Sequence, residues 1–378
     1  MNGEPLQVYE FFAGGGMARL GLGDGWTTTF ANDFDAAKAA TYRANFADAA
    51  QHLHEGDVWD LTSADLAGRA DLAWASSPCQ DFSLAGGRAG LAGGRSSAFF
   101  GFWRLIEALG DEGRLPRAIV IENVSGLLTS HGGKDFAALA LALAGRGYHF
   151  GALEIDAADF VPQSRPRVFV IATLEAPPAA LIGDSPGQTR AVLAARARLP
   201  AGLADRWIDW RTGVPVRPNA DLASLLEPDA AVAWHSTDRT ARLLALMAPL
   251  HRARLEARRA RGERMVGAVY RRTRIENGQR IQRAEVRFDG LAGCLRTPRG
   301  GSSRQAVVVL ERGEVKSRLI TPREAARLMG LADSYRLPKA ATAALHVTGD
   351  GVVAPVVAWL AREILAPLLS GVAARAAA

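Results

Sequence analysis

The chain has 378 residues, 48% of them hydrophobic, so it can bury the core of two domains or of one large one. Its two cysteines, Cys79 and Cys294, exclude a disulfide framework, and without clustered histidines they make no metal site. The net charge of +6 is concentrated: between His235 and Lys316 nineteen Lys/Arg face eight Asp/Glu, a distribution that points to nucleic acid more than the total does. The chain does not begin with a basic segment and an apolar run, and no stretch reaches ~18 uninterrupted apolar residues. A cytoplasmic protein with no membrane association is therefore expected.

Val8 to Phe12 reads as a first strand running into Ala13-Gly14-Gly15-Gly16-Met17, a glycine turn that opens a helix. Such a turn lets a nucleotide-like ligand approach the backbone closely, without distinguishing NAD from S-adenosylmethionine. A second strand, Thr27 to Ala31, ends at Asn32-Asp33-Phe34-Asp35, where an acid is placed to accept from ribose hydroxyls. A third acidic strand end is Glu55-Gly56-Asp57-Val58, suited to an adenine amino group. Any one of these acids, taken singly, reads first as a helix N-cap or turn residue.

Leu72 to Ala75 is a short apolar run that predicts a buried strand. Ser77-Pro78-Cys79-Gln80 follows it, then a glycine-rich basic loop, Phe82 to Arg95. A thiol at the end of a parallel strand sits where open α/β sheets bind ligands, so Cys79 is the candidate nucleophile and the loop a candidate lid. A helix is predicted over 96–109 and a buried strand over 118–121 ending in Glu122-Asn123-Val124. A carboxylate in that setting is expected to hold its proton and to donate it to a ring nitrogen. Lys134 to Gly145 reads as a helix. Arg165 and Arg167 alternate at the start of the next strand, which would point both to one face, where they suit an anion or a carbonyl.

Residues 176–180 and 184–187, rich in Pro, Ala and Gly, read as a linker. Beyond it Thr237 to Arg261 predicts one long helix. Strands over 266–274 and 282–288 flank Glu276-Asn277-Gly278 as a hairpin. A basic Gly/Ser loop, Arg296 to Ser303 and Arg304, precedes a strand over 306–310. Thr321-Pro322-Arg323-Glu324 has the cap, first-turn proline and third-position acid of a helix start. A last apolar helix follows Gly349-Asp350-Gly351-Val352 and is expected to pack back onto the core.

In this order the motifs resemble the DNA (cytosine-5)-methyltransferase family over nearly the whole chain. The matching segments are Phe12-Ala13-Gly14-Gly15-Gly16, Asn32-Asp33-Phe34-Asp35, Gly56-Asp57-Val58, Pro78-Cys79-Gln80, Glu122-Asn123-Val124, Gln163-Ser164-Arg165-Pro166-Arg167, Arg318 to Gly330, and Gly349-Asp350-Gly351-Val352. The resemblance implies an α/β fold. A Rossmann-like, S-adenosylmethionine-dependent methyltransferase domain would occupy 1–175, completed by 340–378. A smaller, irregular, basic target-recognition domain would occupy 176–339 and include the late structural motif.

It also implies the site. Cys79 would add to cytosine C6, Glu122 would act at N3 and the exocyclic amine, Arg165 would hold the O2 side, and Arg167 would position loops. S-adenosyl-L-methionine would be bound by Phe12, Ala13, Gly14, Gly15, Gly16, Asp33, Phe34, Asp57, Val58, Pro78, Asp350 and Gly351. The partner would be double-stranded DNA, contacted by Gln80, Ser83, Arg88 and Arg95 and, in the basic domain, by Arg271, Arg272, Arg296, Arg299 and Arg304. A monomer is expected, and a cognate restriction endonuclease acting on the same site would make the modification protective.

Two residues depart from the family pattern: Met17 stands where a further glycine is usual, and Asp350 where Asn is usual. The former would crowd the turn. The latter would raise the Cys79 pKa or alter cofactor handling, or be tolerated by bonding to backbone amides. The family's tRNA-modifying branch carries Cys-Phe-Thr in the recognition region, whereas Cys294 is followed by Leu295-Arg296. A catalytically inactive DNA-binding relative would have lost Pro78-Cys79 or Glu122-Asn123-Val124. An N4-methylating enzyme would carry a Pro-Pro-aromatic motif in place of Pro-Cys.

Overall fold

The computed structural model describes residues 4–77, 98–217, 219–276, 278–297 and 304–370. The chain divides into two compact units. One comprises 1–156, 166–215 and 351–378, the other 157–165 and 216–350.

The first unit is built on a seven-stranded sheet of order β3-β2-β1-β4-β5-β7-β6. Its elements in chain order are β1 (Leu6–Phe11), α1 (Met17–Leu22), β2 (Trp26–Asp33), α2 (Ala36–Asn45), β3 (Leu53–Glu55), β4 (Leu72–Ala75), α3 (Ala98–Asp111), β5 (Ala118–Val124), α4 (Lys134–Gly145), β6 (His149–Asp156), β7 (Pro166–Thr173) and α5 (Arg190–Arg196). The first five strands are parallel and β7 is antiparallel to both its neighbours. Strand order runs outward in both directions from β1 and β4. The crevice at their carboxyl ends is therefore the topological switch point, where such sheets take ligands. All four residues of β4 have no exposed surface, as a strand covered on both faces requires.

Residues 176–187 are not a linker. Leu181 is buried, Gly183 N donates to Asp209 O at 2.8 Å, and a Cβ on Gly187 would stand 3.0 Å from Leu153. Gly187 serves tight packing against Leu153 of β6.

In the second unit α6 (Thr237–Ala245) and α7 (Pro249–Arg259) accompany an antiparallel sheet of order β11-β10-β8-β9. Its strands are β8 (Met265–Glu276), β9 (Gln279–Arg287), β10 (Ala306–Glu311) and β11 (Glu314–Leu319). The hairpin expected at residues 276–278 is the β8–β9 turn. The single helix expected over 237–261 is two helices. Pro249 lacks an N–H and drives Ala248 to ψ 157°, so α7 restarts with proline in its first turn. The buried Met247 meanwhile bridges to Ala284 of β9. Then come α8 (Pro322–Arg327) and α9 (Ala341–Asp350). The capping box expected at Thr321 and Glu324 is present.

The chain returns to the first unit through α10 (Ala354–Leu360), which packs on α1. A Cβ on Gly21 would lie 2.5 Å from Val357 Cβ and 2.6 Å from Ala354 O, so the contact needs glycine. By length and composition the stretch Ala341–Ser370 could cross a membrane, but 67% of its most apolar window is buried in the protein.

Candidate active site

The carboxyl-terminal ends of β1, β2 and β3 gather Phe12, Ala13, Gly14, Gly15, Gly16, Asp33, Phe34, Asp57 and Val58. After β1 the chain turns through Phe12 at φ 57°, Gly14 at φ 58° and Gly16 at φ 80°. Left-handed backbone is costly for Phe12 and free for glycine. A Cβ on Gly16 would also strike the Phe46 ring at 2.2 Å, whereas one on Gly14 would meet nothing within 4 Å. Met17 is the first residue of α1 and its side chain is buried.

Asp33 fastens this loop to β2. Its Oδ2 accepts from Gly14 N at 2.8 Å and its Oδ1 from Asp35 N at 2.9 Å. Burial pushes its carboxyl above the usual range. Each oxygen keeps a lone pair for a further donor. Beside it Phe34 is 71% exposed, an unusual setting for a large ring. Asp57 caps a short 3-10 turn, accepting from Trp59 N at 3.0 Å, and Val58 is buried. Asn32, for which the sequence suggested no role, ties the ends of β2 and β3 by donating to His54 O and Gly56 O, both at 3.0 Å. The open side of Gly14, the exposed Phe34 face and the carboxylates of Asp33 and Asp57 fit an adenosine-like cofactor. Gly15 belongs to the same turn.

Glu10 lies beneath the loop and sequence reasoning passed over it. It is 1% exposed, Oε1 receives only a 3.4 Å contact from Arg19 N, and Oε2 has no hydrogen-bond partner. Burial pushes its carboxyl up to about 8. The only available signal was an acid in the middle of an otherwise apolar strand.

The catalytic motifs meet at the same edge. Because β7 runs antiparallel to β5, its first residues face the last of β5, and Val124 pairs with Arg167. Arg167 Nε lies 3.1 Å from Glu122 Oε1, and Glu122 is 6% exposed. The neighbouring Asn123 points its amide the other way, donating to Ser77 O at 3.1 Å. It thereby holds the end of the segment that leads to the nucleophile. Pro78, Cys79, Gln80, Ser83, Arg88, Arg95 and Arg299 lie outside the described residues.

The two arginines stand in different environments. Arg165 precedes the strand, which begins at Pro166, so strand alternation does not place it beside Arg167. It belongs to the second unit, is 2% exposed, and donates to Leu295 O at 2.8 Å and Gly349 O at 2.9 Å. Gln163 completes the brace, accepting from Leu295 N at 3.0 Å and donating to Leu328 O at 2.7 Å. Gly349 has no room for a side chain: a Cβ there would stand 2.8 Å from Arg296 C and Thr297 N. Asp350 accepts a hydrogen bond from the Thr297 hydroxyl, and Gly351 opens the return to the first unit.

The DNA candidates of the second unit diverge. Arg271 and Arg304 line one cavity, and Arg304 also donates to Thr342 Oγ1 at 2.8 Å. Arg272 lies over the Tyr270 ring and 3.8 Å from Glu285, and Arg296 is exposed.

The C-5 cytosine-specific DNA methylase family pattern spans residues 6–366. The Type II methyltransferase M.DsaV of Dactylococcopsis salina is 27% identical over 367 residues, covering 97% of this chain and 87% of that protein. M.NlaX of Neisseria lactamica is 26% identical over 369 residues, with 96% and 97% covered. Among solved structures, the S. pombe Dnmt2 methyltransferase superposes with a TM-score of 0.59 at 17% identity, over 97% of this chain and 99% of that one. The Entamoeba histolytica methyltransferase EhMeth gives 0.58 at 13%, over 98% and 99%. Both share the fold.

Proposed function

The chain belongs to the C-5 cytosine-specific DNA methylase family and so methylates C5 of cytosine in DNA; from that premise we propose that it acts on a base turned out of a specific double-stranded sequence, through a covalent bond from Cys79 Sγ to cytosine C6. One observation carries the reading. Glu122, paired with Arg167, stands at the end of β5, and the adjacent Asn123 holds the end of the segment that leads to Cys79.

Cytosine C5 is a poor nucleophile. Addition of the Cys79 thiolate to C6 breaks the aromatic ring and makes C5 enamine-like. Glu122 gives or shares a proton at N3, where negative charge builds, and Arg167 faces the same ring at O2. Arg165 acts at one remove, bracing the 292–297 segment. S-adenosyl-L-methionine would be held by the residues of the β1, β2 and β3 ends and would supply an electrophilic methyl on a positively charged sulfur; as C5 takes the methyl, the C–S bond breaks and the donor leaves as the neutral thioether S-adenosylhomocysteine. Once C5 carries the methyl group, a base removes its proton, the C6–Sγ bond breaks, and the thiolate and 5-methylcytosine are released. The target atom is inaccessible inside a duplex, so the base leaves the stack at a cost of a few kcal/mol. Ser83, Arg88 and Arg95 would contact the phosphates around it.

Nucleoside mass spectrometry on unmethylated duplex DNA tests this, with wild type and Cys79→Ala in parallel. 5-Methylcytosine is expected from the wild type alone. Equal product from both proteins would remove the covalent step. Sequencing the product identifies the target site. A nuclease that cuts the unmodified site and spares the product is the partner expected of a protective modification.

A further inference from the structure

A cavity of about 150 Å³ lies inside the second unit, between α6 and a row of paired residues crossing β8, β10 and β11. That row, Val269, Ala306 and Leu319, forms an aliphatic floor with Leu243 and Leu246. The rim is cationic: Arg239 and Arg242 from α6, Arg271 from β8, and Arg304. No carboxylate lines it among the described residues. Four guanidinium groups around one mouth raise a positive potential that an anion would relieve.

His235, on the same lining, gives a second and independent sign of a ligand. Its Nδ1 is 3.0 Å from Ser317 Oγ, whereas its Nε2 is buried without a hydrogen-bond partner. Burial, with Arg239 and Arg271 nearby, holds its pKa below the usual value, so the ring is neutral at physiological pH. A buried nitrogen left unpaired costs stability, and a polar edge on a bound ring would satisfy it. The volume is also informative. Cavities of this size accept a single six-membered aromatic ring.

We infer that this pocket takes one nucleotide of the DNA, its base ring against the aliphatic floor and its phosphate on the arginine rim. The ring-plus-phosphate chemistry is the pocket's own, whereas the DNA source rests on the function proposed above. A base held there has left the helical stack, in addition to the target cytosine. Sequence steps that unstack readily are then favoured, which is selection by deformability. Arg239 and Arg242 thereby join Arg271 and Arg304 as DNA-contacting residues.

The full-length protein, labelled with ¹⁵N-histidine, is titrated with dCMP, deoxyribose 5-phosphate and inorganic phosphate. The His235 resonance is identified by its loss in His235→Gln. dCMP is expected to shift it at concentrations where the other two do not. Equal shifts from inorganic phosphate would reduce the site to an anion site and overturn the inference, as would no shift at all. In parallel, duplex binding is followed against salt for Arg239→Gln/Arg242→Gln, with an unchanged unfolding midpoint showing that the variant folds. The slope of log K against log salt should become shallower by roughly 2. An unchanged slope overturns the assignment to DNA. A wild type that binds no duplex yet shows the dCMP shift supports the pocket and refutes the proposed function instead.

Discussion

Glu122 and Arg167 reach one another only because β7 runs antiparallel to β5, and that contact sets the surroundings of Arg167 apart from those of Arg165. Arg167→Ala should lower kcat by about 10²- to 10³-fold, the scale of a lost charge-stabilising donor, with little change in the urea midpoint. Arg165→Ala should act mainly on stability. It strands the buried carbonyls of Leu295 and Gly349, at ~1–3 kcal/mol for each unsatisfied group. Urea unfolding alongside single-turnover kinetics distinguishes the two, and the opposite pattern would reverse the assignment. Glu10 makes a pH prediction. Its folded pKa of about 8 lies above the unfolded carboxylate value, so the native state holds a proton that the unfolded state has lost. Stability contributed by Glu10 is therefore full at low pH and falls as pH rises from about 5 to 8. Glu10→Gln removes the titration. Its advantage over wild type in denaturant should widen across that window by on the order of a few kcal/mol, and a constant gap would mean that Glu10 is ionised in the fold.

At the scale of elements, the late motif serves as an internal clamp. Arg318 and Glu324 both have no exposed surface and join through two bonds of 2.8 and 2.6 Å, while Glu324 also closes the capping box of α8. Removing one partner of such a pair leaves a buried charge. Glu324→Ala should cost ~3–5 kcal/mol in equilibrium unfolding, and a loss below 1 kcal/mol would show that water reaches Arg318. The α1–α10 contact is equally close. Gly21→Val would force the helices apart at a typical overpacking cost of about 1–3 kcal/mol. Because α1 begins at the cofactor turn, that variant should also weaken S-adenosylmethionine binding in calorimetry. Unaltered affinity would show that the loop is independent of α1.

At the scale of the whole molecule, the first unit is assembled from three separated stretches, the last of them 351–378. A chain ending at residue 350 would lack the helix that covers α1. It should bind no S-adenosylmethionine and unfold without a cooperative transition by circular dichroism. Cooperative unfolding with cofactor binding intact would mean that α10 is dispensable. Residues 157–165 and 166–173, adjacent in sequence, belong to different units. That division is why one short motif, Gln163 to Arg167, supplies a brace to one unit and the partner of Glu122 to the other.

Much of this was legible in the amino-acid order because it depends on local rules. Glycine was needed where φ is positive at Gly14 and Gly16, a fully buried strand where β4 is uniformly apolar, and a helix start where Thr321, Pro322 and Glu324 recur at capping spacing. The ordered motifs likewise carried the family and its reaction. Other features were invisible because they depend on which strands become neighbours and how they run. The antiparallel β7 decided that Arg167, not Arg165, faces Glu122. Long-range packing buried Glu10 without a partner for Oε2 and turned residues 176–187 from an apparent linker into part of the first unit. The pocket at Arg239 and Arg242 depends on which strands of the second sheet become neighbours, since Val269, Ala306 and Leu319 meet in one paired row. Spacing along a chain sets local conformation. The energy of burying a charge, or of leaving it unpaired, is set by residues that the sequence keeps far apart.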